Sequence, residues 1–332
     1  MSSPAPIRLL EAANKRFLYP VPSVGALVGI PLIVFFVSAG GFRPMPNYAL
    51  WTRPMEIMGL FSLLTLLPAG LLMWLTAWIR SSEPLLVDIR SQMRDPSAME
   101  LRRYPFAKLW PVAVILGSVF AIAANIFPSS LSLDPASDIF WTSIAMACGQ
   151  MFMWSTIAVT LFFVFQDDLL LFHYGKSVRV NLYNLDRLNG FDWAVLSQFL
   201  MVVGALSLTI LQSLDRDFQW VNYANGFYLA VPSALIFVFL PTWTIRQNIR
   251  REKALVLSLI NDEIQQASTE LDAQSLLRMN GLIERREQVR HLRTWPINLS
   301  IFSRLLFYIF IPPLAWLGAA LMEVLLDSFL AG

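Results

Sequence analysis

Seven apolar runs recur along this chain, separated by polar, charged and proline-bearing segments. They cover residues 22–40, 57–79, 111–127, 139–165, 193–213, 226–245 and 302–325. A helix rises 1.5 Å per residue, so about 20 apolar residues cross a hydrocarbon layer of about 30 Å. The third run is the shortest, and Trp110 and Phe127 extend it into the two interfaces as flanking aromatics. No Lys, Arg, Asp or Glu lies near the middle of any run. Arg304 and Glu323 lie near the ends of the last, where side chains reach water. The pattern predicts an all-α, polytopic membrane protein of about seven transmembrane helices.

Charge adds an orientation. Of 25 Lys and Arg residues, 21 fall in the N-terminal tail, the 80–109 and 166–191 segments and the long 246–300 segment. These lie on one side of the membrane if seven spans alternate. The positive-inside rule then places the N-terminus and the long segments in the cytoplasm and the C-terminus outside. The opposite side holds acids, among them Glu56, Asp134, Asp138, Asp215 and Asp217.

The polar segments divide the chain further. Residues 246–267 continue the sixth run with helix formers and apolar positions at Ile249, Val256, Ile260 and Ile264. Residues 273–293 carry Leu276, Leu277, Leu282, Ile283, Val289 and Leu292. Asp272 is a candidate cap and Pro296 a stop. The expected organisation is a transmembrane domain over 1–245, a cytoplasmic helical hairpin over 246–300, and a seventh span with a short external tail over 301–332. Residues 80–109, with Pro84, Pro96 and Pro105, read as irregular or interfacial helix, and 177–182 as a short strand or interfacial segment.

Composition narrows the function classes. The chain is 56% hydrophobic and 14% charged, with net charge +2, against about 25% charged residues in a soluble domain. The small net charge argues against nucleic-acid binding. The single cysteine, Cys148, forms no internal disulfide, and the N-terminus does not read as a signal peptide, so the first run is expected to be a retained span. There is no G-x-S-x-G, H-E-x-x-H or Walker loop, and the two histidines, His173 and His291, lie in polar segments. The expectation is no enzyme, no metal site and no cofactor.

Two sets of intramembrane residues carry what chemistry there is. Pro31, Pro68, Pro232 and the pair Pro312–Pro313 lie well inside the first, second, sixth and seventh runs. Proline removes a helix hydrogen bond and frees a carbonyl, so these are candidates for helix breaks of the kind that transporters use at mid-membrane. The polar residues are mild. They include Ser143, Gln150, Ser155, Thr156 and Thr160 in the fourth run, Gln198, Ser207 and Thr209 in the fifth and Asn125 in the third. Gln150, Ser155, Gln198 and Ser207 are candidates for lining a polar path. Gluing one helix to another, at about 0.6–2 kcal/mol each, is the commoner use of such groups. Gly25-x-x-x-Gly29 and Ala315-x-x-x-Ala319 permit close helix approach within or between copies. The pair Asp167–Asp168 reads as the inner membrane exit of the fourth run.

The run Trp295-Pro296-Ile297, then Arg304, Pro312-Pro313, Trp316, Gly318, Glu323 and Leu326, with Val180-Asn181-Leu182 and Leu185 upstream, resembles a group of multi-pass bacterial inner-membrane proteins of unknown function. This chain has Trp-Pro-Ile where that group has Trp-Pro-Phe. The resemblance implies a bacterial inner membrane and assigns no activity or site residue. The sequence thus supports an oligomeric channel or permease with a path near the proline-bearing spans. The alternative is a membrane-embedded scaffold or signalling component that binds a cytoplasmic partner through 246–293. The expected partners are the lipid bilayer, a second copy of the chain and a cytoplasmic protein.

Overall fold

The computed structural model describes residues 4–42, 54–93, 103–126, 134–213, 220–268 and 273–295, with scattered positions between 303 and 321. It is all-helical. In chain order the helices are α1 (Ala5–Arg16), α2 (Pro20–Ser38), α3 (Pro54–Ser91), α4 (Trp110–Ala121), α5 (Phe140–Ser177), α6 (Asn189–Leu208), α7 (Trp220–Ala267) and α8 (Ala273–His291). A 3₁₀ turn, Ala107–Leu109, leads into α4 and a π turn, Ile122–Ile126, ends it. Six helical segments, α2 to α7 with their flanking turns, are long and apolar enough to cross a membrane. The run at 302–325 lies largely outside the described residues, as do Pro312, Pro313, Ala315 and Ala319.

Three helices run well past the limits that hydropathy suggests. α3 continues beyond residue 79 to Ser91, α5 beyond 165 to Ser177, and α7 beyond 245 to Ala267. At 38, 38 and 48 residues they span about 57, 57 and 72 Å at 1.5 Å per residue, roughly twice the hydrocarbon thickness. Residues 80–91 are therefore the continuation of a spanning helix, Pro84 included. Packing explains the difference: Ile89 is buried and Leu85 partly so, and both lie against Gly190 at the start of α6. The 177–182 segment makes one bridge, Val178 with Met93, and Arg179 N–H donates to the Gln92 carbonyl at 2.9 Å.

Two apolar cores are stacked along these long helices. One gathers Phe36, Leu60, Phe61, Leu64, Met146, Met153, Trp154, Val202 and Phe237. The second gathers the C-terminal parts of α3, α5 and α7, through Trp78, Ile79, Ile89, Leu170, Leu171, Ile245 and Ile249, and extends to Ile260, Leu282 and Val289. The helix α1 joins this second core. Its sequence is amphipathic, and it buries Ile7 and Leu10 while Leu9 stays exposed. Asn14 Nδ2 donates to the Thr76 carbonyl of α3 at 3.3 Å. α8 lies along the C-terminal part of α7. Lys253 Nζ donates to the carbonyls of Arg290 and Leu292 at 2.7 and 2.8 Å, and the Arg246 guanidinium sits 4.5 Å from the centre of the Trp295 ring.

Small residues set the closest approaches. A Cβ on Gly25 would run into the Met73 side chain, and Gly29 faces Ala69, so Gly25-x-x-x-Gly29 packs α2 on α3 within one chain. α2 ends with Gly40 at φ 78°, where Gly41 N–H reaches the Phe36 carbonyl and Gly40 N–H the Val37 carbonyl. This is the six-to-one and five-to-two pattern of a left-handed helix stop, and it requires glycine at that φ. A Cβ on Gly117 would stand 2.5 Å from the Trp154 carbonyl oxygen, which places α4 directly against α5.

Candidate functional site

A cleft lies between α3, α5, α6 and α7, and the π turn after α4 contributes to its wall. Its cavity volume is about 80 Å³. The walls are mostly apolar: Leu63, Leu67 and Leu71 from α3, Met153, Ile157 and Leu161 from α5, Met201, Val202 and Leu206 from α6, Leu229 and Ala230 from α7. Helical spacing explains the lining, since residues three and four apart share a face. Few polar groups enter. Ser233 Oγ donates to the Leu229 carbonyl and Thr209 Oγ1 to the Leu206 carbonyl, so both are served by their own turns. Asn225 Nδ2 donates to the Ala124 carbonyl in the π turn at 3.4 Å.

Three lining polar atoms are different. Asn125 Nδ2, Trp154 Nε1 and Thr160 Oγ1 are buried and have no hydrogen-bond partner among the described residues. An unmade hydrogen bond at a buried donor costs about 1–3 kcal/mol. Orphaned donors beside an apolar cavity are the arrangement of a ligand pocket, where a few polar groups orient a mostly apolar molecule. The sequence shows Asn125, Thr160 and Thr209 as isolated polar residues in three different runs. The fold brings them to one cleft.

Toward the end where α3, α5 and α7 have their C-termini lies a second polar site. Arg103 donates from Nε to Asp167 Oδ1 at 2.9 Å and from Nη2 to Asp167 Oδ2 at 3.0 Å. The same carboxylate accepts from Trp78 Nε1 at 2.7 Å, and Arg103 Nη2 also reaches Ser82 Oγ. Beside it, Gln166 Oε1 accepts the Phe106 N–H at 3.0 Å. Together these bonds fasten the 103–107 segment, and so the start of α4, to α3 and α5. Trp74 and Trp78 stack at 5.8 Å with planes 5° apart, and Trp74 Nε1 donates to the Ser197 carbonyl of α6.

The site's electrostatics follow from burial and that ion pair. Desolvation alone would lower the Arg103 guanidinium, but the Asp167 charge and hydrogen bonds outweigh it and hold it above its ordinary value. The Tyr104 phenol is pushed up, first by burial and then by Asp167. Tyr104 packs edge-on against Phe163, and Arg103 lies 5.2 Å from the Tyr104 ring centre.

Asp168, the next residue on α5, faces elsewhere, because adjacent helical positions are about 100° apart. It is fully buried, and neither carboxyl oxygen has a hydrogen-bond partner among the described residues. Gln198 of α6 lies alongside it, also fully buried, close enough to act on the carboxyl but short of hydrogen-bond geometry at either amide atom.

The residues singled out from the sequence are distributed as follows. The helices continue through Pro31, Pro68 and Pro232. Ser155 glues α5 to α4: its Oγ lies 2.9 Å from Ser118 Oγ and 3.2 Å from the Val114 carbonyl. Ser207 Oγ donates to the Val203 carbonyl of its own helix. Gln150 is buried with Oε1 unpartnered, and Gln198 is the neighbour of Asp168. None of these four polar residues lines the cleft. Among the described residues no group of three or more His, Cys, Asp or Glu is arranged to hold a metal ion. The Arg103–Asp167 pair escaped sequence reasoning because its members are 64 residues apart. The signal was two acids at the end of an apolar run that faces a basic segment.

No family model, no curated protein and no solved structure matches this chain.

Proposed function

We propose that the chain is a permease-like integral membrane protein that takes up an apolar or amphiphilic small molecule in the cleft between α3, α5, α6 and α7. The observation that carries this reading is the set of three buried, unpartnered polar atoms, on Asn125, Trp154 and Thr160, at the edge of an otherwise apolar cleft. An alkyl or ring body suits the leucine and methionine walls, and one polar head satisfies the orphaned groups. The apolar lining favours such a molecule over a hydrated ion. In this reading the Arg103–Asp167 clamp and the extended helices form the cytoplasmic end of an inner-membrane protein, a placement that the basic residues there support.

Trp154 provides the test. A brominated fatty acid added to the purified protein in nanodiscs should quench tryptophan fluorescence with a saturable component. That component should vanish in Trp154→Phe and in Gly226→Leu. Position 226 has room for a Cβ, with Thr209 Cγ2 at 3.8 Å, so leucine there fills the cleft. Quenching that never saturates in the unmodified protein would refute the reading.

A second reading, a scaffold, is favoured by a different surface. Leu255, Leu259, Leu276, Leu277 and Ile283 are exposed on α7 and α8. In this reading they meet a cytoplasmic protein or a second copy of the chain. Replacing Leu276 and Leu277 by serine should then abolish partner capture or self-association while the protein still inserts, and unchanged association counts against it.

A further inference from the structure

The Arg103–Asp167 clamp leaves one buried acid unused. Asp168 is fully buried on α5, has no hydrogen-bond partner at either oxygen among the described residues, and faces the fully buried, equally unpartnered amide of Gln198. Its neighbour Asp167 is the charged group that acts on it, and Asp167 is itself engaged by Arg103 and Trp78. An unneutralised carboxylate in such a place is costly, and two orphaned amide atoms beside it add to that cost. A structural role would have been met more cheaply by an apolar pair of the same volume. Two buried polar side chains thus lie side by side with the carboxyl oxygens and both amide atoms left without a hydrogen-bond partner among the described residues.

We infer that Asp168 and Gln198 form a binding site for an exchangeable monovalent cation, a proton or an alkali ion. The carboxylate supplies the charge and the Gln198 Oε1 a further oxygen. The site sits one helical turn from the cleft: Met201 and Val202, which line it, follow Gln198 on α6. The inference does not need the cleft to bind anything, because the cation site stands on its own two residues.

Dicyclohexylcarbodiimide on the purified full-length protein in liposomes tests this. The reagent reacts with a protonated carboxyl in an apolar setting. The carboxyl proton moves to a carbodiimide nitrogen, the oxygen adds to its carbon, and rearrangement to an N-acylurea retains the whole reagent with no leaving group. Peptide mass mapping should find the adduct on Asp168, with loss of that adduct in Asp168→Asn. For a proton site, yield should fall as pH rises from mildly acid to mildly alkaline, and sodium or potassium should not differ from choline. For an alkali-ion site, sodium or potassium should protect Asp168 at fixed pH where choline does not. In either case Gln198→Leu, which leaves the acid in place, should shift the pH or salt midpoint. Absence of an adduct at Asp168, or labelling that ignores pH, alkali salts and Gln198→Leu, would show a fixed structural carboxyl and overturn the inference.

Discussion

Arg103 and Asp167 illustrate how one buried ion pair governs a loop. Two parallel hydrogen bonds, a tryptophan N–H and a serine hydroxyl converge on this pair, with Asp167 almost fully buried. Removing one partner strands the other. Arg103→Met should therefore destabilise the protein by about 3–5 kcal/mol, and the double variant Arg103→Met with Asp167→Leu should recover most of that loss. A double-mutant cycle on unfolding in mild detergent reads the coupling, and additive losses would show that the pair is not a unit. Tyr104 adds a pH dependence of definite sign. Its phenol is raised in the folded protein by burial, whereas in the unfolded chain it ionises near pH 10. Above about pH 10 unfolding therefore releases a proton, and stability falls as pH rises. The contribution is fully present below that pH. Tyr104→Phe keeps the ring and should flatten the alkaline fall in melting temperature.

At the scale of elements, α4 is held by one glycine and two serines. The Trp154 carbonyl oxygen lies 2.5 Å from where a Gly117 Cβ would stand, and Ser118 and Ser155 meet across the contact. Gly117→Leu should force the helices apart at a cost of about 1–3 kcal/mol. A lower melting temperature, together with faster amide exchange in α4, is the expected result. The α7–α8 contact depends on Lys253, whose ammonium takes the carbonyls of Arg290 and Leu292 at the end of α8. A cation there also opposes the negative end of the helix dipole. Lys253→Met should cost about 1 kcal/mol and speed amide exchange over 286–292, leaving α2 to α6 unchanged. The six helices that can cross a membrane were legible in the sequence because length and apolar content alone define them. The end of α7 at Ala267 was legible too, but those of α3 and α5 were not. Arg80 and Pro84 look like a stop, yet α3 continues because Leu85 and Ile89 find a tertiary surface at Gly190. The cleft was illegible for a similar reason. Asn125, Thr160 and Thr209 are visible one by one, and only helix rotation and packing bring them together.

At the scale of the whole molecule, α3, α5 and α7 are each a single rod running from the cleft into the second core. α7 carries Leu229 and Ala230 at the cleft and Ile245 and Ile249 in the second core, with Pro232 and Pro241 between Ala230 and Ile245. The compartment that each end of these rods faces is the point to establish. Cys148 is the only cysteine, and Cys148→Ser gives a clean background. Ala136, before α5, and Ser268, after α7, are both exposed and lie at opposite ends of the rods. In intact cells a membrane-impermeant maleimide should label Ala136→Cys at once and Ser268→Cys only after permeabilisation. The reverse result would put the basic segments outside, against the positive-inside rule. It would also place the Arg103–Asp167 clamp, with the exposed leucines of α7 and α8, on the outer side, and a cytoplasmic partner for them would be ruled out.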